Sequence, residues 1–139
     1  MATNISKLKI KATSEQVWDA LTKPELVKQW QYGSELSTDW KVGSEIRFKS
    51  AWEGKIFEQW GTVLEVSPHK KLRYNLFAPR PDLQDAPENY FEMEYKLTEH
   101  GEHVLLEIIQ KDNRPGAVQE EPQGEENPVL KMLKDIIEI

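Results

Sequence analysis

The chain has 139 residues, of which 30% are charged, and a formal net charge of -6. That length suits one domain with a sizeable core, and the acidic balance excludes a phosphate-backbone binder, which needs clustered Lys and Arg. There is no Cys, which removes disulfides, thiolate metal sites and a Cys nucleophile.

No run nears the ~20 apolar residues of a membrane span, and the Met-Ala-Thr-Asn start carries no apolar signal stretch. A single cytoplasmic domain over residues 1–139 is expected. Residues 4–12 read as a strand, with Leu8, Ile10 and Ala12 on one side and Lys7, Lys9 and Lys11 on the solvated other. Thr13 and Gln16 have the spacing of a capping box at a helix start. Val17, Trp18 and Leu21 then share one helical face. Pro24 suits the first turn of a second helix, whose apolar stripe is Leu26, Val27 and Trp30. Residues 31–44 read as a loop.

From Glu45 the period changes to two. Ile46, Phe48, Ser50 and Trp52 alternate with Glu45, Arg47, Lys49 and Ala51, and Glu53-Gly54-Lys55 makes a tight turn. Residues 56–66 form a strand with Trp60, Thr62, Leu64 and Val66 on one face and an expected bulge at Gly61. After a turn at Ser67–Lys70, residues 71–77 place Leu72, Tyr74 and Leu76 together. Pro79, Pro81 and Pro87 make 78–88 a loop. Residues 89–98 alternate Phe91, Met93, Tyr95 and Leu97 with Glu92, Glu94, Lys96 and Thr98. A hairpin turn at 99–102 leads to a strand at 103–110. Residues 111–128, rich in Pro, Gly, Glu and Gln, read as a long, mobile, acidic loop. Asn127 caps and Pro128 starts a final helix with Val129, Met132, Leu133, Ile136 and Ile137 as its stripe.

The expected fold is α+β: two short helices after the first strand, then a meander of about five or six antiparallel strands curved around the C-terminal helix. Each strand has one buried face, and the space between sheet and helix is where a ligand could sit. Trp52, Trp60, Tyr74, Phe91, Met93 and Tyr95 fall on the expected inner face, and Met132 comes from the covering helix. These seven are the candidate ligand-binding residues. Aromatic rings with polar tips and adaptable Met suit a mostly apolar ligand held by a few hydrogen bonds. Their other role is simple core packing. Loops 31–44 and 78–88 and the start of the last helix are expected around the mouth, with the acidic loop nearby.

Acid–base catalysis would need a titratable group inside the cavity, yet the acidic residues fall on outward faces or in loops. Glu58 is ambiguous if its strand bulges. Arg47 and Arg73 point outward by alternation, and Arg80 lies in a loop. His100 and His103 bracket a solvated turn and His69 lies in another, so no metal and no cofactor are expected.

Several stretches carry a resemblance: Val17–Thr22, Pro24-Glu25-Leu26 with Trp30, Trp40–Phe48, and Gly61–Pro68 leading to Lys71–Tyr74. In this order, over roughly residues 5–110, the chain resembles the START-like (SRPBCC) helix-grip superfamily of polyketide cyclases and birch-pollen-allergen-like proteins. It is most similar to the branch of the C-terminal domain of the activator of the heat shock protein 90 ATPase. The aromatic inner face and the absence of catalytic motifs point to non-enzymatic binding of an apolar or amphipathic small molecule. The resemblance implies as alternatives a chaperone-ATPase-activating protein, with a chaperone as partner, and a polyketide-cyclase-like enzyme. Two features depart from the pattern: Gly43-Ser44 stands where paired glycines are common, and the last helix is short, about 16–18 Å. A smaller or open-ended cavity follows. The co-chaperone's separate N-terminal domain has no counterpart in these residues.

Overall fold

The computed structural model describes residues 2–31 and 33–138, with the side chain of Trp52 left outside that description. The chain runs β1 (Ala2–Ile10), α1 (Ser14–Thr22), α2 (Pro24–Trp30), β2 (Glu35–Ser37), β3 (Glu45–Trp52), β4 (Lys55–Ser67) and β5 (Lys71–Leu76). A single 3-10 turn at Pro87–Asn89 precedes β6 (Phe91–His100), β7 (His103–Asp112) and α3 (Pro128–Ile137). The seven strands form one antiparallel sheet in the order β1-β7-β6-β5-β4-β3-β2. The sheet curves, and α3 packs against α2, α1 and β1 on its concave side. This is the helix-grip architecture expected from the alternation. No described helix is long and apolar enough to cross a membrane.

Local chemistry explains the helix starts. Thr13 Oγ1 accepts from the Gln16 amide at 3.1 Å, and Gln16 Oε1 accepts from the Thr13 amide at 2.9 Å. This reciprocal box satisfies two donors that the first turn leaves open. Pro24 occupies the first turn of α2, and Asn127 Oδ1 accepts from Val129 N at 2.9 Å to start α3. The largest fully buried side chains are aliphatic: Ile10, Ile46, Leu72, Leu106 and Leu133 lie beside Val17, Val27, Val63 and Val104.

The structure departs from the expected elements at two places along these strands. The 31–44 loop contains β2, which is only three residues long and pairs Leu36 with Phe48. The bulge of β4 lies between Val63 and Glu65 rather than at Gly61. Gly61 has a different reason to be glycine: a Cβ there would sit 1.9 Å from the Asn75 carbonyl oxygen. The Asn75 side chain meanwhile accepts from Thr62 N at 2.8 Å, so the two backbones pinch together at this point.

The acidic segment after β7 is tied down rather than loose. Lys7 N donates to Gln123 O at 2.8 Å and Gln123 N to Ile5 O at 3.1 Å. Asn4 Nδ2 donates to Val118 O at 3.1 Å, and Glu120 N donates to Asn4 Oδ1 at 2.6 Å. Residues 113–127 therefore form a strap along the free edge of β1. They satisfy edge amides and carbonyls that would otherwise invite pairing with another chain.

Candidate functional site

Alternation aims one set of side chains from each strand at the concave face. β5 contributes Tyr74 and Leu76, β6 contributes Phe91, Met93 and Tyr95, and β7 contributes Ile108 and Gln110. From the other half of the sheet come Phe48 and Ser50 of β3 and Phe57 and Gln59 of β4. Trp30, Gln31 and Ser34 close one side, Val129 and Leu130 of α3 roof it, and Ser6 of β1 completes the wall. Together they bound a cavity of about 500 Å³, within the usual range for small-molecule sites. It opens beside Phe57, which is half exposed.

The polar centre of this cavity is a tyrosine pair. The Tyr74 and Tyr95 hydroxyls lie 2.6 Å apart, and their rings meet edge to face at 5.7 Å. Register explains the meeting: Tyr74 pairs with Met93 and Leu72 with Tyr95, so the two tyrosines are diagonal neighbours on one face. Burial pushes the Tyr95 hydroxyl up to about 12. Burial first, then the neighbouring Tyr95, raises Tyr74 well above the ordinary phenol value. Both are neutral donors near pH 7. Phe48 packs on Tyr74 at 5.9 Å and Trp40 at 6.3 Å. Trp40 holds a left-handed φ of 58°, an uncommon conformation for a bulky residue. It is fastened by its indole N–H donating to Thr22 O at 2.9 Å.

None of the described lining residues carries a charge: its polar members are Ser, Gln, Tyr and the Trp30 indole. Charge appears only in an adjoining cavity of about 410 Å³ beneath the strap, which shares Ser6, Met93, Ile108 and Gln110 with the first. Arg80 and Arg114 line it, and each is already engaged. Arg114 clasps Asp112 through two bonds of 2.9 and 2.7 Å, with its guanidinium 4.3 Å over the Phe91 ring. The guanidinium holds the Asp112 carboxyl below the usual range. Arg80 binds Asp82 at 3.1 and 2.9 Å and donates to Pro115 O at 3.3 Å.

Four of the seven residues singled out from the sequence therefore meet in the cavity: Tyr74, Phe91, Met93 and Tyr95. Two do not. Trp60 lies on the convex face, because it pairs with Arg47 and Phe77 while the inward Tyr74 pairs with Val63. Its ring packs on Phe77 at 5.5 Å, Arg47 stacks over it at 5.3 Å, and its indole donates to Asp85 at 3.0 Å. Inward positions of β4 are instead Phe57 and Gln59, then Val63, and the bulge lets Val66 also pack on the core. Met132 is 44% exposed on the outer side of α3, while Leu130 and Leu133 face in. The side chain of Trp52 falls outside the described residues. Glu58 resolves as a convex residue, ion-paired with Arg47 at 2.8 Å.

Of the segments expected around the mouth, Gln31 and Ser34 of the 31–44 loop and Val129 and Leu130 at the start of α3 line this cavity, whereas Arg80 of loop 78–88 lines the adjoining one. Sequence reasoning missed Trp30, Phe48, Ile108, Gln59, Gln110 and Leu130 as lining. Phe48 and Ile108 were recoverable by strand counting. Trp30 also donates its indole N–H to Ala20 O at 2.8 Å, so it joins α2 to α1 and lines the cavity together.

A curved antiparallel sheet gripping a C-terminal helix over an interior cavity defines a helix-grip protein. Residues 11–138 match the family described as activator of Hsp90 ATPase homolog 1-like protein, and the chain belongs to that family. It is similar to the solution structure of ChR145 from Cytophaga hutchinsonii, at 37% identity and TM-score 0.66, covering 81% of this chain and 78% of that one. The Aha1 dimer from Colwellia psychrerythraea shares the fold at 20% identity and TM-score 0.69, covering 100% and 98%. An HSP90 activator from Plasmodium falciparum shares it at 16% identity and TM-score 0.65, covering 84% and 76%. No curated protein matches this chain.

Proposed function

We propose that this protein binds an apolar or amphipathic small molecule between its sheet and α3. One observation carries the reading: a cavity of about 500 Å³ whose described lining is uncharged and centred on two buried tyrosine hydroxyls. Apolar walls supply affinity, and a few placed polar groups fix orientation. The described lining offers no carboxylate, imidazole or amine to move a proton near neutral pH, which favours binding over acid–base chemistry. The test is a panel of uncharged apolar compounds followed by tryptophan fluorescence and thermal shift. Saturable quenching with a concentration-dependent rise in Tm is expected, since a ligand bound only to the folded state stabilises it. A broad panel without saturation overturns the proposal.

A second reading is a chaperone-activating role, supported by the family and by the HSP90 activator among its structural neighbours. Ile56, 63% exposed at the β3–β4 hairpin, is an apolar convex-side contact suited to it. ATP turnover of a purified Hsp90-class chaperone should then rise with this protein present and rise less with Ile56→Ser. Unchanged turnover with both proteins removes this reading.

A further inference from the structure

Resting on the small-molecule reading, we infer that the ligand is an uncharged compound whose acceptor oxygen, of the carbonyl type, takes a hydrogen bond from the Tyr74–Tyr95 pair. The reasoning is a count of protons. Two neutral hydroxyls carry two O–H donors, and their mutual contact of 2.6 Å consumes one of them. The second proton finds no protein acceptor among the described residues, although both tyrosines are almost fully buried and both line the cavity. A buried donor left unmatched is costly, by more than a typical hydrogen bond is worth. The pair therefore favours a ligand that presents an acceptor at this point over one of equal size that does not. Because either oxygen can be the donor within the pair, either tyrosine can turn its free proton to the ligand.

The same site selects against anionic acceptors. A carboxylate would satisfy the donor equally well, but it would be desolvated with no Lys, Arg or His among the described lining residues. Isolated buried charge is far more costly than an unmatched hydroxyl. The nearest guanidinium groups, Arg80 and Arg114 in the adjoining cavity, already hold Asp82 and Asp112. They do not offer a free cation.

Three probes on one ring system test this: 2-acetylnaphthalene, 2-ethylnaphthalene and 2-naphthoate, titrated at pH 7 by tryptophan fluorescence. The ketone should bind about tenfold more tightly than the ethyl compound, the worth of one buried hydrogen bond, and the carboxylate more weakly than the ketone. The infrared carbonyl stretch of the bound ketone should move to lower frequency. Tyr74→Phe or Tyr95→Phe alone should keep much of the ketone preference, because one hydroxyl remains to donate. The double variant should lose the preference and the frequency shift while still binding 2-ethylnaphthalene. If the double variant does not fold, the wild-type ranking and the carbonyl shift decide. Equal binding of ketone and ethyl compound with an unshifted carbonyl overturns the inference but leaves cavity binding standing. Tightest binding of 2-naphthoate overturns it through the charge argument. No saturable binding of any of the three overturns the small-molecule reading itself.

Discussion

The two faces of this sheet carry similar numbers of rings and opposite electrostatics. On the convex face Arg73 reaches Glu65 at 3.0 Å and Glu92 at 2.7 Å, and Arg47 reaches Glu58 at 2.8 Å. Trp60, Phe77 and Tyr90 stack there, with Asp85 accepting from Trp60 and from the Tyr90 hydroxyl at 2.6 Å. Those hydrogen bonds, the Tyr90 one first, hold the Asp85 carboxyl below its ordinary value. On the concave face Tyr74, Tyr95 and Phe48 meet without a charged neighbour in the lining, and Phe91, at the border with the adjoining cavity, has the Arg114 guanidinium over its ring. Aromatic content does not distinguish a site from a scaffold here. What distinguishes them is which rings lie among ion pairs and charged partners and which have only neutral ones.

The largest expected effect is on α3, which covers the concave face with one side against the neutral core and the other in solvent. Leu133 is fully buried beneath it and Met132 is exposed above it. Leu133→Ala should cost about 2–5 kcal/mol, and Met132→Ala about 0.5 kcal/mol or less, both read by urea unfolding. Comparable losses would mean that the helix is rotated. Gly61→Ala comes next, since its methyl would meet the Asn75 carbonyl at 1.9 Å. Forcing the strands apart should cost about 1–3 kcal/mol, and an unchanged Tm would show that the pinch between β4 and β5 is absent.

A pH titration addresses the tyrosines directly. Burial raises the folded value of Tyr95 to about 12, above the ordinary 10.0, and raises Tyr74 as well. The sign follows from proton counts: between these values the unfolded chain has lost protons that the folded one keeps. This contribution to stability is whole below pH 10 and fades as pH rises through about 12. Absorbance of the tyrosinate band should show Tyr74 and Tyr95 ionising together with unfolding. Phenolate formation near pH 10 in the folded protein that disappears in the Tyr74→Phe/Tyr95→Phe double variant would place these hydroxyls in water. The smallest effect belongs to the convex ion pairs, which are partly solvated. Arg73→Met should change stability by about 1 kcal/mol or less, with ligand affinity untouched.

Much of this arrangement was legible because period-two patterning survives where strands are regular. β5 and β6 could be placed on their correct faces from Leu72, Tyr74, Phe91, Met93 and Tyr95 alone. β4 could not. Its bulge between Val63 and Glu65 inserts a residue and reverses the phase, so reading inward from Val66 assigns Trp60 to the wrong side. A one-residue slip exchanges every face, and no residue type in Val63-Leu64-Glu65 announces it. Met132 was misassigned for a simpler reason. At about 100° per residue, Leu130 and Leu133 define the buried line and Met132 falls off it, but the run from Val129 to Ile137 is apolar enough to support two stripes. β2 is too short to leave a period at all. Composition reads the strap as loose, because its ties to β1 run through backbone bonds at Lys7, Ile5 and Gln123 and through the Asn4 side chain, more than a hundred residues away in sequence.

The most direct test of the central claim is where a bound ligand is felt. With isotope-labelled protein and 2-acetylnaphthalene, amide and methyl resonances should move at Tyr74, Tyr95, Met93 and Ile108, and stay fixed at Trp60, Arg73 and Glu92. Shifts confined to the convex face, or spread evenly over exposed residues without saturation, would contradict an account in which the neutral concave cavity is the site.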